Sequence, residues 1–203
     1  MKSEVSADSK KVKAAKIKKM EQNFEEDWKN SMRLPYLEKV VLNIGVGTGG
    51  EELERAGKVL EDIAKQKPVR RPASKSVKEW GIRKGTPIGV MVTVRGDNAI
   101  KLLKRLLIVY NNRILRRSFD DYGNFSFGID EHISIPGVEY DNTIGIWGLN
   151  ISGRIVRKGM RVRIRRKKRT KIKKSQYVSR EEARYFLKKF FKARIVRRLE
   201  IEY

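Results

Sequence analysis

Three segments of this chain alternate apolar and polar residues strictly enough to define half-buried β-strands. Val40, Leu42, Ile44 and Val46 alternate with Val41, Asn43 and Gly45, and Ile88, Val90, Val92 and Val94 with Gly89, Met91, Thr93 and Arg95. Leu149, Ile151 and Ile155 alternate in the same way with Asn150, Ser152 and Arg154. Period two puts each set on one side of a pleated sheet. One apolar and one polar face call for a mostly antiparallel sheet covered on a single side. Three amphipathic segments supply the cover: 51–64 with Leu53, Val59, Leu60 and Ile63, 97–111 with Ile100, Leu103, Leu107 and Tyr110, and 180–190. The third opens on Ser179 with Glu182 three residues on, the pattern of a capping box. A last strand is expected over 195–203, where Arg197 interrupts the alternation of Ile195, Leu199 and Ile201. The expected fold is α+β: one mostly antiparallel sheet, helices on one face, and an open polar face. Asn43, Thr93 and Arg95 on that face can hydrogen-bond sugar and phosphate, as an RNA platform requires.

Charge says what kind of partner such a face would meet. The 203 residues carry 48 Lys and Arg against 24 Asp and Glu, a net +24, the excess expected of a protein whose partner is a polyanion. Cysteine is absent and His132 is the single histidine, which excludes disulfides and thiolate metal sites and leaves few ingredients for histidine-based catalysis. No catalytic residue, metal or cofactor is assigned. The apolar run 106–110 is far short of the roughly 20 residues that span a bilayer, and the lysine-bearing N-terminus has no apolar core of a secretory signal. A cytoplasmic protein without a membrane partner is expected.

The length suits one domain with appendages. Residues 1–33 read as a charged tail, lysine-rich and then acidic at Glu25, Glu26 and Asp27, and 34–203 as the domain. Inserted before the last helix and strand is a basic arm, 157–174, with twelve basic and no acidic residues, half of the net charge. The arm is expected to be disordered when free, because like charges repel and little beyond Ile172 could anchor it. Its partial alternation at 161–165 could extend the preceding strand. Its densest run, Arg165, Arg166, Lys167, Lys168 and Arg169, reads as a phosphate anchor.

Gly45, Gly47 and Gly50 form a GxGxxG between a strand and a helix, the context of a dinucleotide fingerprint. A nucleotide-binding enzyme is therefore the alternative reading. Against it, Arg70 and Arg71 stand where a ribose-binding carboxylate belongs, and Glu51 and Glu52 follow the glycines where a phosphate loop has Lys and Ser or Thr. His132 beside Asp130 and Glu131 reads as a satisfied loop histidine. The long connection 73–87 interleaves Lys75, Lys78, Arg83 and Lys84 with Trp80, which suits an RNA backbone contact with stacking.

The strings VVLNIGVGTGG (40–50), QKPVR (66–70), GIRKGTPIGVMVTVRG (81–96), FDDYGNFSFGIDEHISIPGVEYD (119–141) and IGIWGLNISGRIVRKG (144–159) closely resemble the ribosomal protein L-five family in its archaeal and eukaryotic branch. The resemblance runs in order from about 39 to 190. It implies a protein that binds 5S rRNA in the central protuberance of the large ribosomal subunit, beside other large-subunit rRNA, near P-site tRNA and a protein of the small-subunit head. Asn43, Gln66 and Arg70 match positions that face 5S rRNA. The segment 74–86, with Lys75, Ser76, Arg83 and Lys84, matches the loop that reaches toward tRNA. The chain departs from the usual family pattern at Lys65, where a glycine precedes QKP, at Pro72 and Ser74, where lysines are frequent, and at Lys158, where a proline is usual.

Overall fold

The computed structural model describes residues 19–139 and 141–198. In chain order its strands are β1 (Tyr36–Gly45), β2 (Val69–Pro72), β3 (Pro87–Arg95), β4 (Arg113–Leu115), β5 (Asn124–Ile129), β6 (Leu149–Val156) and β7 (Arg194–Val196). The helices are α1 (19–28), α2 (Glu51–Ala64), α3 (Gly96–Ile108), α4 (Arg161–Ile164) and α5 (Arg180–Phe191). Strands β2, β3, β1, β6 and β5 make a five-stranded sheet in that order, each neighbour antiparallel to the next. The α+β class and the helix-covered sheet are as the alternation dictates.

Burial follows the alternation through the middle of each strand, while Val46 and Ile88 at the strand ends are only partly buried. Val40, Leu42 and Ile44, Val90, Val92 and Val94, and Leu149, Ile151 and Ile155 are all buried, against Leu53, Leu60 and Ile63 of α2 and Leu103, Leu106 and Leu107 of α3. Each fully buried side chain of this size contributes about 1.5–3 kcal/mol. The apolar row of β6 has a gap at Gly153, which the neighbouring strand fills: a Cβ there would stand 2.1 Å from the Phe125 ring. Gly153 leaves room for the aromatic ring of its β5 partner, and the core closes over it.

The glycine turn is a connector. Gly47 and Gly50 have φ of 87° and 93°, a region that favours glycine, and the Val46 and Gly47 amides both donate to the Ile88 carbonyl. In a dinucleotide fold the strand after the helix lies beside the first. Here antiparallel β3 lies between β1 and β2, so the crevice of a parallel switch point does not form. Glu51, Glu52 and Glu54 crowd the first turn of α2, where a pyrophosphate would need to approach, and Thr48 donates its hydroxyl to Glu52. The nucleotide-enzyme alternative is overturned on both counts.

Three elements differ from expectation. Helix α3 ends at Ile108 rather than 111, because Asn111 and Asn112 adopt positive φ. The last strand is short: β7 pairs in parallel with β4 in a separate two-stranded ribbon, and residues 199–203 lie outside the described residues. Within 1–33, residues 1–18 also lie outside them, but α1 docks on α5 instead of extending as a tail. Trp28 is buried against Tyr185, Phe186 and Phe190, and Glu21 and Glu25 pair with Lys188 and Lys189. Phe24 and Trp28, spaced i and i+4, form one apolar stripe.

Helix α5 is capped as its sequence requires, with the Ser179 hydroxyl accepting from the Glu182 amide at 3.2 Å. Glu182 does not reach back to complete the capping box; its carboxylate is turned inward to Trp28 and Arg157.

Candidate nucleic-acid interface

Strand register decides which polar residues share the open face. At one level Arg95, Lys39, Arg154 and Asn124 lie side by side across β3, β1, β6 and β5. The next level holds Thr93, Val41, Ser152 and Ser126, and the third Met91, Asn43, Asn150 and Gly128. Asn43, Thr93 and Arg95 are thus brought onto one surface. A bulge between Leu37 and Lys39 adds Glu38 to the basic level, where its carboxylate lies 3.3 Å from Arg154 Nε and 3.8 Å from Arg95 Nη1. Lys39 belongs to the same period-two series as Val41 and Asn43.

The other residues expected to face 5S rRNA do not join them. Gln66 is exposed in the turn between α2 and β2. Arg70 is paired in register with Val90, whose side chain enters the core, so it lies on the helix side of edge strand β2, where it donates to Glu54 at 3.2 Å.

The connection 73–87 is a hairpin extension of β2 and β3. Val77 and Ile82 exchange backbone hydrogen bonds, the Ala73 amide donates to Thr86, and the Gly85 amide donates to Ala73. Ser76 is used internally, its hydroxyl accepting from the Lys84 amide at 2.8 Å. Lys75, Arg83, Lys84 and the 73 % exposed Trp80 project from this frame into solvent.

The arm runs over the open face. Buried Met160 near its start and buried Val178 beyond its end hold it, apolar anchors that a count of charges does not weigh. The alternation at 161–165 does not continue β6; Gly159, at φ 91°, turns the chain into the single helical turn of α4. Arg165 to Lys168 then reverse it, Arg165 Nε donating to the Lys168 carbonyl and the Thr170 amide to that of Val162.

Between arm and sheet runs an open groove of about 1220 Å³. Lys39 and Arg154 line it from the sheet, and Arg163, Arg169, Lys171 and Lys174 from the arm; none of the described residues lining it is acidic. Of the five arm residues singled out by charge density, only Arg169 faces the groove, because the other four form the exposed reversal. Like charges crowded around a half-enclosed volume raise the local positive potential and attract a polyanion. His132 is buried, and its Nδ1 accepts from the Trp147 amide at 3.2 Å; burial pushes its pKa below the ordinary imidazole value. No group of three or more potential metal ligands occurs among the described residues, and no described helix is long and apolar enough to cross a membrane.

Comparison with known proteins gives a consistent result. The family model described as Ribosomal protein L5 matches residues 30–83, and the model of the same ribosomal family's C-terminus matches 87–190. The large ribosomal subunit protein uL5 of Pyrobaculum aerophilum is 51% identical over 158 residues, 78% of this chain and 88% of that protein. Those of Nitrosopumilus maritimus and Sulfurisphaera tokodaii are 50% and 48% identical, covering 76% and 82% of this chain and 90% and 95% of theirs. All three are named as ribosomal proteins rather than as enzymes. The two family matches adjoin and together span most of the sheet, the helices and the arm, so the chain belongs to the ribosomal protein L5 family.

Proposed function

We propose that this protein is a non-enzymatic component of the large ribosomal subunit, in the cytoplasm, that binds folded RNA between its open sheet face and its basic arm. The RNA is 5S rRNA in the central protuberance, with large-subunit rRNA beside it. The observation that carries the reading is the groove itself: six cations from two separate parts of the chain converge on it with no described acid among the lining residues. Asn43 and Thr93 continue the same surface with groups suited to sugar and phosphate. The hairpin 73–87, which joins β3 at the end opposite Arg95 and carries Trp80 at its tip, is assigned to P-site tRNA, and a small-subunit head protein is a further partner. Binding, not turnover, is the mechanism.

Sedimentation of the purified protein with free 5S rRNA tests this directly. Co-sedimentation at near-physiological salt, with weaker binding to duplex DNA of equal length, is the expected result. Equal affinity for both would point to nonspecific polyanion binding, since charge alone does not distinguish RNA from DNA.

A further inference from the structure

Groove chemistry goes beyond charge at one end. Tyr122 and Tyr177 meet there edge to face, their centroids 5.3 Å apart and their planes at 78°. The Arg163 guanidinium covers Tyr177, 5.5 Å from its ring centre. Tyr122 remains 47 % exposed although its backbone is firmly seated. Its amide donates to the Asp120 carboxylate at 2.9 Å, as does that of Asn124 at 2.7 Å. Gly123 follows at φ 77°, where a Cβ would stand 2.6 Å from the Ile155 carbonyl. A half-open aromatic ring on a fixed turn, walled by cations, matches a ligand that is both anionic and aromatic.

We propose that this end of the groove is a base-binding subsite: an unpaired nucleotide splays its base onto Tyr122 while Arg154, Arg169 and Lys171 hold the flanking phosphates. The inference rests on the RNA-binding reading above and deepens it by naming single-stranded RNA as the species held here. A duplex keeps its base faces inside the stack and offers Tyr122 nothing to stack on, whereas a loop or bulge exposes them. Stacking tolerates any base, so the subsite selects unpaired structure rather than sequence.

The test uses the full chain, a fluorescently labelled eight-nucleotide RNA and a blunt RNA duplex of the same length, measured over a range of salt. The wild type is expected to prefer the single strand. Tyr122→Ala should lower single-strand affinity about tenfold while leaving the salt slope and duplex affinity unchanged, and Tyr122→Phe should retain binding. Because Tyr122 also packs on Tyr177, a second measurement is photo-crosslinking of a 4-thiouracil-substituted strand to the wild type, with adducts expected on the peptides containing Tyr122 or Tyr177. Unchanged affinity in Tyr122→Ala, equal losses for single strand and duplex, or adducts confined to other peptides would overturn the subsite. If the wild type binds neither RNA, the RNA-binding reading fails as well; if it binds with normal salt dependence and Tyr122 is silent, only the subsite falls.

Discussion

Arg157 places its guanidinium 2.6 Å from the carboxylate of Glu182, a side chain only 1 % exposed, whose other oxygen accepts from Trp28 Nε1 at 3.1 Å. The same guanidinium donates to the Ser175 carbonyl at 3.3 Å. One carboxylate on α5 therefore fastens α1 and the start of the basic arm, and Arg157 in turn holds Ser175, just past the arm's end. Breaking a buried pair from one side leaves an uncompensated charge, so Arg157→Ala, which strands the 1 % exposed Glu182 carboxylate, should cost about 3–5 kcal/mol in urea denaturation. Glu182→Ala should also destabilise, and the double variant should cost clearly less than the two single losses together. Strict additivity would show that the two groups do not interact.

Leu42 and Asn43 are adjacent in β1 but face opposite sides of the sheet. Leu42 is fully buried, so Leu42→Ala should lower stability by about 2–5 kcal/mol. Asn43→Ala should leave the melting temperature nearly unchanged and weaken 5S rRNA binding, because a partly exposed polar group adds little to folding. Parallel losses of melting temperature and affinity in Asn43→Ala would mark a structural role.

The arm carries two populations of cations, and salt dependence separates them. Each phosphate contact contributes a slope of about −0.7 for a single strand, so converting Arg163, Arg169, Lys171 and Lys174 to Gln should flatten the slope by about 3. The same change at Arg165, Arg166, Lys167 and Lys168, which form the exposed reversal, should flatten it by about 1 or less. Filter binding across a salt series measures both. Equal flattening would describe a diffuse cationic tail rather than a groove wall.

The fold was legible wherever a periodic pattern extended over a long segment. Leu42, Val92 and Ile151 announced the sheet and its buried face, and Ser179 announced the start of α5. What escaped depended on register between distant strands or on single anchors. Arg70 looks like any exposed basic residue until its pairing with Val90 assigns it to the helix side of the sheet. The placement of the arm turned on buried Met160 and Val178, which a count of its charges does not weigh. Strand β5 is legible in the period-two spacing of Phe125, Phe127 and Ile129, and α1 in the Phe24 and Trp28 stripe. Lys65 is intelligible only with its φ of 53°, a left-handed helix cap of the kind that glycine adopts most readily.

His132 gives the protein an acid-sensitive point. Burial holds its pKa below the ordinary value near 6.5, so on acidification the unfolded chain takes up the proton first. Its contribution is intact above that pH and is lost as pH falls from about 6.5 through the lower folded-state value. Protonation would also turn Nδ1, an acceptor for the Trp147 amide, into a donor facing a donor. Urea midpoints of the wild type should therefore fall between pH 7 and pH 5.5, and those of His132→Gln should fall less. Identical pH profiles would remove His132 from the acid response.

Glu38 is the acidic side chain that the β1 bulge sets into the basic level of the open face, between Arg154 and Arg95. Its own side chain is 18 % exposed and that of Arg154 21 %, while Arg95 is largely open to solvent, so the limit of about 1 kcal/mol for a surface pair applies to the Arg95 contact alone. For a phosphate, however, the carboxylate is a competitor for the same two guanidinium groups. Glu38→Gln keeps the shape and removes the charge, so 5S rRNA affinity should rise and the salt slope should steepen by up to about 1 as one arginine becomes available to the backbone. Weaker RNA binding in Glu38→Gln would mean that Glu38 works by holding Arg154 in place, and that orientation of the arginine matters more than the positive potential around it.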